Sequence, residues 1–382
     1  MTAMRVDRAP TGSLIARPES GSWQSFDIQL AFYALALAII GLLMAWTNSP
    51  GGPLAAGSTF TRGLMWFAIA IVAFTLAAAF DYRWLRTFSW LVYLVNIGLL
   101  LLTMVIGIEI NGAQRWVSVA GLTFQFSEIS KVLMIAVLAA FLAGRRDRIG
   151  SLSTLVGASL LVAPPFILIM IQPDLGTSLV LVAILVGALF LSGASLRWML
   201  LAAGSLIAAL PVAWSFLLGY QKLRLLSFLD PTSDPQGAGF QVAQAQIAVG
   251  SGGIFGKGLT AGASSGADFL PVQSTDFAFA VLLEELGFIG GMVVFLLFIG
   301  LIWRVLHIGW RSDSVFGVAF AGGTAAMLIF QMLVNAGMVA GIMPVTGIPL
   351  PFITHGGASL VSTAIALGLL QSINIRRARS PG

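Results

Sequence analysis

Residues 87–107, TFSWLVYLVNIGLLLLTMVIG, run for 21 positions without a charged side chain. A helix needs about 20 mostly apolar residues to cross a bilayer, whose hydrocarbon offers no water to pair its backbone. This stretch meets that length, and its flanks are charged: Arg83 and Arg86 before it, Glu109 and Arg115 after it. Working outward, further stretches of the same character lie near Phe26–Trp46, Gly63–Phe80, Ser127–Gly144, Leu152–Ile171, Asp174–Ser192, Leu196–Gly219, Phe277–Val305, Val315–Gly341 and Phe352–Ile375. The pattern predicts an all-α integral membrane protein of about ten transmembrane helices. Residues 26–375 would form a single polytopic domain between polar tails at 1–25 and 376–382. Pro164-Pro165 predicts a kink or break in the fifth span.

Composition agrees with this pattern. Of 382 residues, 58% are hydrophobic and 9% charged, with a mean hydropathy of +0.95; soluble domains carry about 25% charged residues. So little charge cannot clothe a water-facing surface, and most of the chain must face lipid. The absence of cysteine excludes a disulfide framework, a thiolate nucleophile and a zinc–thiolate site. A net charge of +5 would suit a nucleic-acid binder, but the distribution of the charge gives it another role. The N-terminal segment, with Arg5, Arg8 and Arg17, lacks a short apolar region with a cleavage site and reads as a tail, not a signal peptide.

Arg5, Arg8, Arg17, Arg83, Arg86, Arg145, Arg146, Arg148, Arg197, Arg304, Arg311, Arg376, Arg377 and Arg379 fall in one set of loops. The other set holds Arg62, Arg115, Lys222, Arg224 and Lys257, with Lys131 inside a span. The split, 14 against 5, alternates without a break and places both termini in the cytoplasm by the positive-inside rule. These arginines need no ligand to explain them, and no nucleic acid is implied. Glu109, Asp174, Asp230, Asp234, Asp268 and Asp276 fall instead at the outer side, where topology gives them no reason to gather.

One connection is long. Residues 220–275 form a large extracytoplasmic loop between spans seven and eight, with enough aromatic and aliphatic residues to pack and a helix-like run at Phe240–Val249. Its stretch GSGGIFGKG (250–258) fails the nucleotide-binding pattern, because Gly258 follows Lys257 where Ser or Thr belongs. It reads either as a flexible turn or as backbone N–H groups and Lys257 contacting an anionic headgroup.

Asp276 stands where this loop meets the eighth span, in Ser274-Thr275-Asp276-Phe277. A helix cap is the plain explanation; the same dipole favours its ionised form, which a proton acceptor needs. Glu284 and Glu285 lie deeper in the apolar span, where ionisable groups are costly; about 80° and 180° around an ideal helix from Asp276, they cannot both share its face. Glu128 and Lys131, three residues apart, make a local ion pair possible at the start of the fourth span. Asp174 follows Pro173 at a helix start, and Arg115 beside Trp116 can meet a phosphate or one of these carboxylates. His307 and His355 fall on opposite sides and make no metal site.

Several of these runs resemble the SEDS family of bacterial shape, elongation, division and sporulation proteins. They are Gly112-Ala113-Gln114-Arg115-Trp116, Ser127-Glu128-Ile129-Ser130-Lys131, Gln172-Pro173-Asp174-Leu175-Gly176-Thr177, Phe228-Leu229-Asp230-Pro231, Asp234-Pro235, Gly237-Ala238-Gly239, Thr275-Asp276-Phe277, Pro344-Val345-Thr346-Gly347 and Gly356-Gly357-Ala358-Ser359. They occur in family order over about two thirds of the chain, residues 111–360. Gln246–Gly253 with Gly256-Lys257-Gly258 is more similar to the elongation branch, RodA, than to the division branch, FtsW. Phe126, Ser274 and His355 depart from the proline, the histidine or arginine, and the tyrosine common in the family, which leaves the fine shape of an outer cavity open.

The resemblance implies a peptidoglycan glycosyltransferase that polymerises lipid II on the outer face of the bacterial cytoplasmic membrane. It maps the family's essential aspartate onto Asp276 and its acidic–basic pair onto Glu128 and Lys131. The candidate substrate-binding set is Arg115, Glu128, Lys131, Asp174, Arg224 and Lys257, with a divalent cation (Mg or Mn) as a conceivable helper and no other cofactor. Implied partners are lipid II, the undecaprenyl-pyrophosphate-linked glycan, a class B penicillin-binding protein and the membrane proteins of the elongation complex. The rival from another class is a lipid II flippase, which the intramembrane charges and Pro164-Pro165 would also suit; a scaffold that only recruits a transpeptidase is a third reading.

Overall fold

Asp27 begins the first helix: its side chain accepts the Leu30 amide at 2.9 Å, and α1 follows as Ile28–Thr47. The computed structural model describes residues 25–49, 52–55, 57–110, 113–119, 122–216, 238–259, 277–354 and 356–377, with four single positions between 217 and 237. After α1 come α2 (Thr59–Ala79, capped by Ser58), α3 (Arg83–Thr87), α4 (Ser89–Ile106), α5 (Phe126–Ala143), α6 (Leu152–Ile171), α7 (Leu175–Leu191) and α8 (Leu196–Phe216). The chain continues through α9 (Ala238–Gly252), α10 (Ala278–Trp310), α11 (Val315–Val339) and α12 (Gly357–Ile375).

Among the described residues, eight helices are long and apolar enough to cross a membrane, namely α1, α2, α4, α5, α6, α10, α11 and α12. Two shorter apolar helices, Leu175–Leu191 and Leu196–Ala209, coincide with the sixth and seventh stretches anticipated from sequence. The fold is a multi-pass helical membrane protein. α5, α11 and α12 form its buried centre, while α2 and α4 expose large apolar side chains such as Leu76, Trp90, Leu94 and Val105 to lipid.

Four features depart from the pattern read in the sequence. Between α4 and α5 the chain forms a small antiparallel sheet of three strands, β1 (Ile108–Ile110), β2 (Ala113–Val119) and β3 (Leu122–Phe124), in the order β1-β2-β3. Ile110 pairs with Ala113 and Val119 with Leu122, so each strand connection is two residues long. α6 passes through Pro164 and Pro165 without a break. Pro165 cannot donate to the Leu161 carbonyl, but the Tyr93 hydroxyl on α4 does so at 3.1 Å, so a neighbouring helix supplies the missing hydrogen bond. α10 is broken at Gly287 (φ 67°), which separates residues 278–286 from 288–310. The last helix starts at Gly357 instead of Phe352, whose φ of 68° is not that of an α-helix; before it, residues 344–350 run as irregular chain held by Asn335, whose amide donates to the Ile348 carbonyl at 2.9 Å.

Candidate active site

Three clusters of charge lie at the end of the bundle opposite the arginines. The first is built on the opening turn of α5. Glu128 and Lys131 pair at 2.7 Å as i,i+3 neighbours, and both side chains are almost fully buried, 3% and 1% exposed. Ser362 on α12 adds a hydroxyl 3.4 Å from the Glu128 carboxylate. The local ion pair anticipated from spacing is present, and it ties α5 to the most buried helix.

The second cluster surrounds Asp174, which caps α7 by accepting the Thr177 amide at 3.2 Å. Its other oxygen accepts the Gln125 amide at 2.7 Å and the Ser127 hydroxyl at 3.1 Å. Arg115, on β2, brings its guanidinium to 3.8 Å from Asp174 while remaining a quarter exposed. Of the two partners considered for Arg115, the structure supplies a carboxylate. Because Ser127 and Glu128 are adjacent, the Asp174 and Lys131 clusters share the first turn of α5.

The third cluster joins the segment after α9 to α10. Lys257 pairs with Glu284 at 2.7 Å, and the Ser251 hydroxyl lies 3.4 Å from the same carboxylate oxygen. The backbone around Lys257 is committed as well. The Gly256 amide donates to Gly252 O at 2.9 Å, Lys257 to Glu284 O at 2.9 Å and Gly258 to Glu285 O at 3.0 Å, while Phe288 and Ile289 donate back to Gly253 O and Ile254 O. The structure bears on the backbone part of both readings of the glycine-rich stretch. The amides of residues 256–258 cannot cradle an anion, since they complete the backbone where α10 breaks, while the Lys257 side chain stays one-third exposed. A Cβ on Gly256 would sit 2.1 Å from Glu285 O, and one on Gly287 would sit 2.2 Å from Gly256 N, so glycine is the price of this close pairing. Glu285 is buried next to it.

Asp276 and Arg224 lie outside the described residues, as do Asp230, Asp234, Asp268 and His355. The described chain resumes at Phe277, which is fully buried directly before α10. Among the described residues no three His, Asp or Glu side chains converge, so these residues do not build a divalent-cation site. Gln125 and Ser362 carry no signal in the sequence, and Ser127 and Ser251 stand there only within family-like runs. They are neutral, and only their contact with Asp174, Glu284 or Glu128 gives them a role.

The family model of the FtsW, RodA and SpoVE cell cycle proteins matches residues 28–379. The chain belongs to this family. It is similar to the peptidoglycan glycosyltransferase MrdB of Escherichia coli K12, with 37% identity over 353 residues, covering 92% of this chain and 94% of that protein. Stage V sporulation protein E of Bacillus subtilis is also 37% identical, over 91% of this chain and 96% of its own length. Among solved structures, a chain of a peptidoglycan synthase complex in which polymerization and crosslinking are coordinated superposes with a TM-score of 0.80 at 30% identity, covering 94% of this chain and 100% of that one. RodA of Thermus thermophilus gives 0.70 at 28% identity, covering 94% and 99%. The SEDS resemblance read from short motifs therefore extends along nearly the whole chain, and the chain is RodA-like in fold.

Proposed function

We infer that this protein is a peptidoglycan glycosyltransferase that polymerises lipid II into glycan strands for cell elongation. The observation that carries the reading is the correspondence to peptidoglycan glycosyltransferase MrdB over 92% of the chain, which no single motif could supply. In the reaction, the 4-hydroxyl of the acceptor N-acetylglucosamine attacks the anomeric carbon of the donor N-acetylmuramic acid. The C–O bond to undecaprenyl pyrophosphate breaks as the β-1,4 bond forms, with inversion. The hydroxyl proton passes to a base and the electron pair leaves with the pyrophosphate.

Asp276 is our candidate base, one residue before the buried Phe277 that opens α10. Cations favour the departing pyrophosphate if they are fixed before the charge develops. Arg115, Lys131, Arg224 and Lys257 are the candidates, with Glu128 and Asp174 holding two of them: Lys131 through its ion pair and Arg115 through its contact. A divalent cation would supply the same stabilisation; among the described residues no cluster is present to hold one, and no step here is routed through it. The active face is outward, and a class B penicillin-binding protein crosslinks the strands.

The test is polymerisation of purified lipid II in detergent, with and without that partner protein. Glycan strands that disappear in Asp276→Ala, by at least about 100-fold, support the reading. No polymer with the partner added, together with lipid II movement across vesicles, would move the assignment to a flippase. Asp276→Ala that keeps cell shape would point to a scaffold. Rescue of a strain lacking its elongation polymerase, without rescue of one lacking its division polymerase, tests the branch.

A further inference from the structure

The turn joining α5 to α6 reads Arg145-Arg146-Asp147-Arg148, at the end of α5 remote from Glu128 and Lys131. A topology signal needs only charge, yet these arginines sit on a built structure. Residues Arg146–Arg148 form a single 3-10 turn, closed by Ser151 and Thr154, whose hydroxyls donate to the Arg148 carbonyl at 2.7 and 2.8 Å. Arg145 lies over the Phe141 ring, 4.2 Å from its centroid, and donates to the Ser153 carbonyl at 3.4 Å. Gly157 on α6 makes the space: a Cβ there would come 2.6 Å from Arg145 Nη1 and 2.8 Å from Phe141. Asp147 lines the same cleft but makes no ion pair with the three arginines among the described residues, so the turn keeps a net charge of +2.

This turn walls a cleft of about 620 Å³ between the arginines and the first turns of α6. From the cleft an exposed apolar stripe, Leu152, Val156 and Leu160, runs up one face of α6, since residues four apart are stacked on a helix. Three exposed arginines at the mouth, one of them (Arg145) held by Phe141 and Ser153, and an exposed apolar stripe behind them match an anionic head joined to an acyl chain. We propose that this cleft binds the phosphate headgroup of an anionic phospholipid in the leaflet at the arginine-rich face, with an acyl chain along Leu152, Val156 and Leu160. Basic pockets of this kind on the cytoplasmic side of membrane helices hold anionic lipid heads, and each arginine near the surface strengthens such binding by about fivefold. The proposal goes beyond glycosyl transfer and takes from it only the orientation; loss of polymerisation would leave it standing.

The experiment is native mass spectrometry of the full-length protein in detergent, titrated with phosphatidylglycerol or with zwitterionic phosphatidylethanolamine. The wild type is expected to retain phosphatidylglycerol preferentially, and Arg145→Gln with Arg146→Gln and Arg148→Gln to lose that preference by about 10-fold or more. Gly157→Val changes no charge but displaces Arg145, and is expected to weaken the preference as well. Thermal unfolding identifies a variant that fails to fold, and the other variant then carries the test. Undiminished preference in the folded variants overturns the proposal. So does equal displacement by inorganic phosphate at matched concentration, which would mean a free-anion site, or saturation only when a soluble cytoplasmic protein is added.

Discussion

Lys131 is among the large fully buried side chains of the described residues, and its charge is tolerable there only because Glu128 is 2.7 Å away. Removing one partner of such a pair strands a charge in a low dielectric, at a cost of about 3–5 kcal/mol, whereas removing both can be nearly neutral. Lys131→Met and Glu128→Gln are each expected to lower the unfolding temperature in detergent sharply. The double variant should recover most of that loss while polymerisation stays absent in all three. A double variant no more stable than either single one would show that the pair is not a strut. Lys257→Ala should likewise cost stability, because it takes the cation away from the buried carboxylate of Glu284, although Lys257 itself is one-third exposed. Legibility differed between these pairs for a physical reason. Glu128 and Lys131 lie on one helical turn, so spacing reveals them. Lys257 and Glu284 are 27 residues apart and meet only because Gly256–Gly258 pairs with the break at Gly287, which charge counting does not register.

At the scale of elements, the helices were plain from apolar length and the interruptions were not. Pro164-Pro165 signalled a break, but the sequence could not reveal that Tyr93 stands ready to bond the carbonyl that Pro165 leaves open. Tyr93→Phe is expected to destabilise by about 0.5–1.5 kcal/mol, the net worth of one hydrogen bond. In a Pro165→Ala background, where the helix can use its own amide, the same change should cost markedly less. A thermodynamic cycle of the four proteins measures this coupling, and strict additivity would refute it. The sheet was missed although Asn111-Gly112 between alternating residues is a hairpin signal; in a chain this apolar, span length dominated the reading. Gly287 was missed because a glycine inside a long apolar run does not disclose a positive φ. Gly287→Ala should cost about 1–3 kcal/mol from backbone strain alone, and more from the clash with Gly256. It should also reduce polymerisation, since α10 follows directly on the candidate base.

Across the whole molecule the two ends of the bundle are held differently. At the arginine-rich end, Arg304 pairs with Asp27, whose backbone exchanges two hydrogen bonds with Gln371 at 3.0 and 2.7 Å, tying the start of α1 to the ends of α10 and α12. Arg376 binds the Ala78 carbonyl at 3.1 Å and faces Asp81 at 3.8 Å, tying α12 to the end of α2. Arginines that the positive-inside rule would use for orientation thus also fasten the helices, a use that loop charge alone could not disclose. The opposite end carries Asp174, Glu128 and Lys131. Catalysis on an extracytoplasmic substrate requires that end to face outward, and the orientation can be tested directly because the chain has no cysteine. Ser118 on β2 and Gly150 beyond the arginine turn are both exposed, at opposite ends of the bundle. Ser118→Cys should react with a membrane-impermeant maleimide on intact spheroplasts, and Gly150→Cys only after the membrane is opened. The converse labelling pattern would place Asp174, Glu128 and Lys131 in the cytoplasm, out of reach of an extracytoplasmic glycan, and would overturn both the active-face assignment and the leaflet assigned to the arginine cleft.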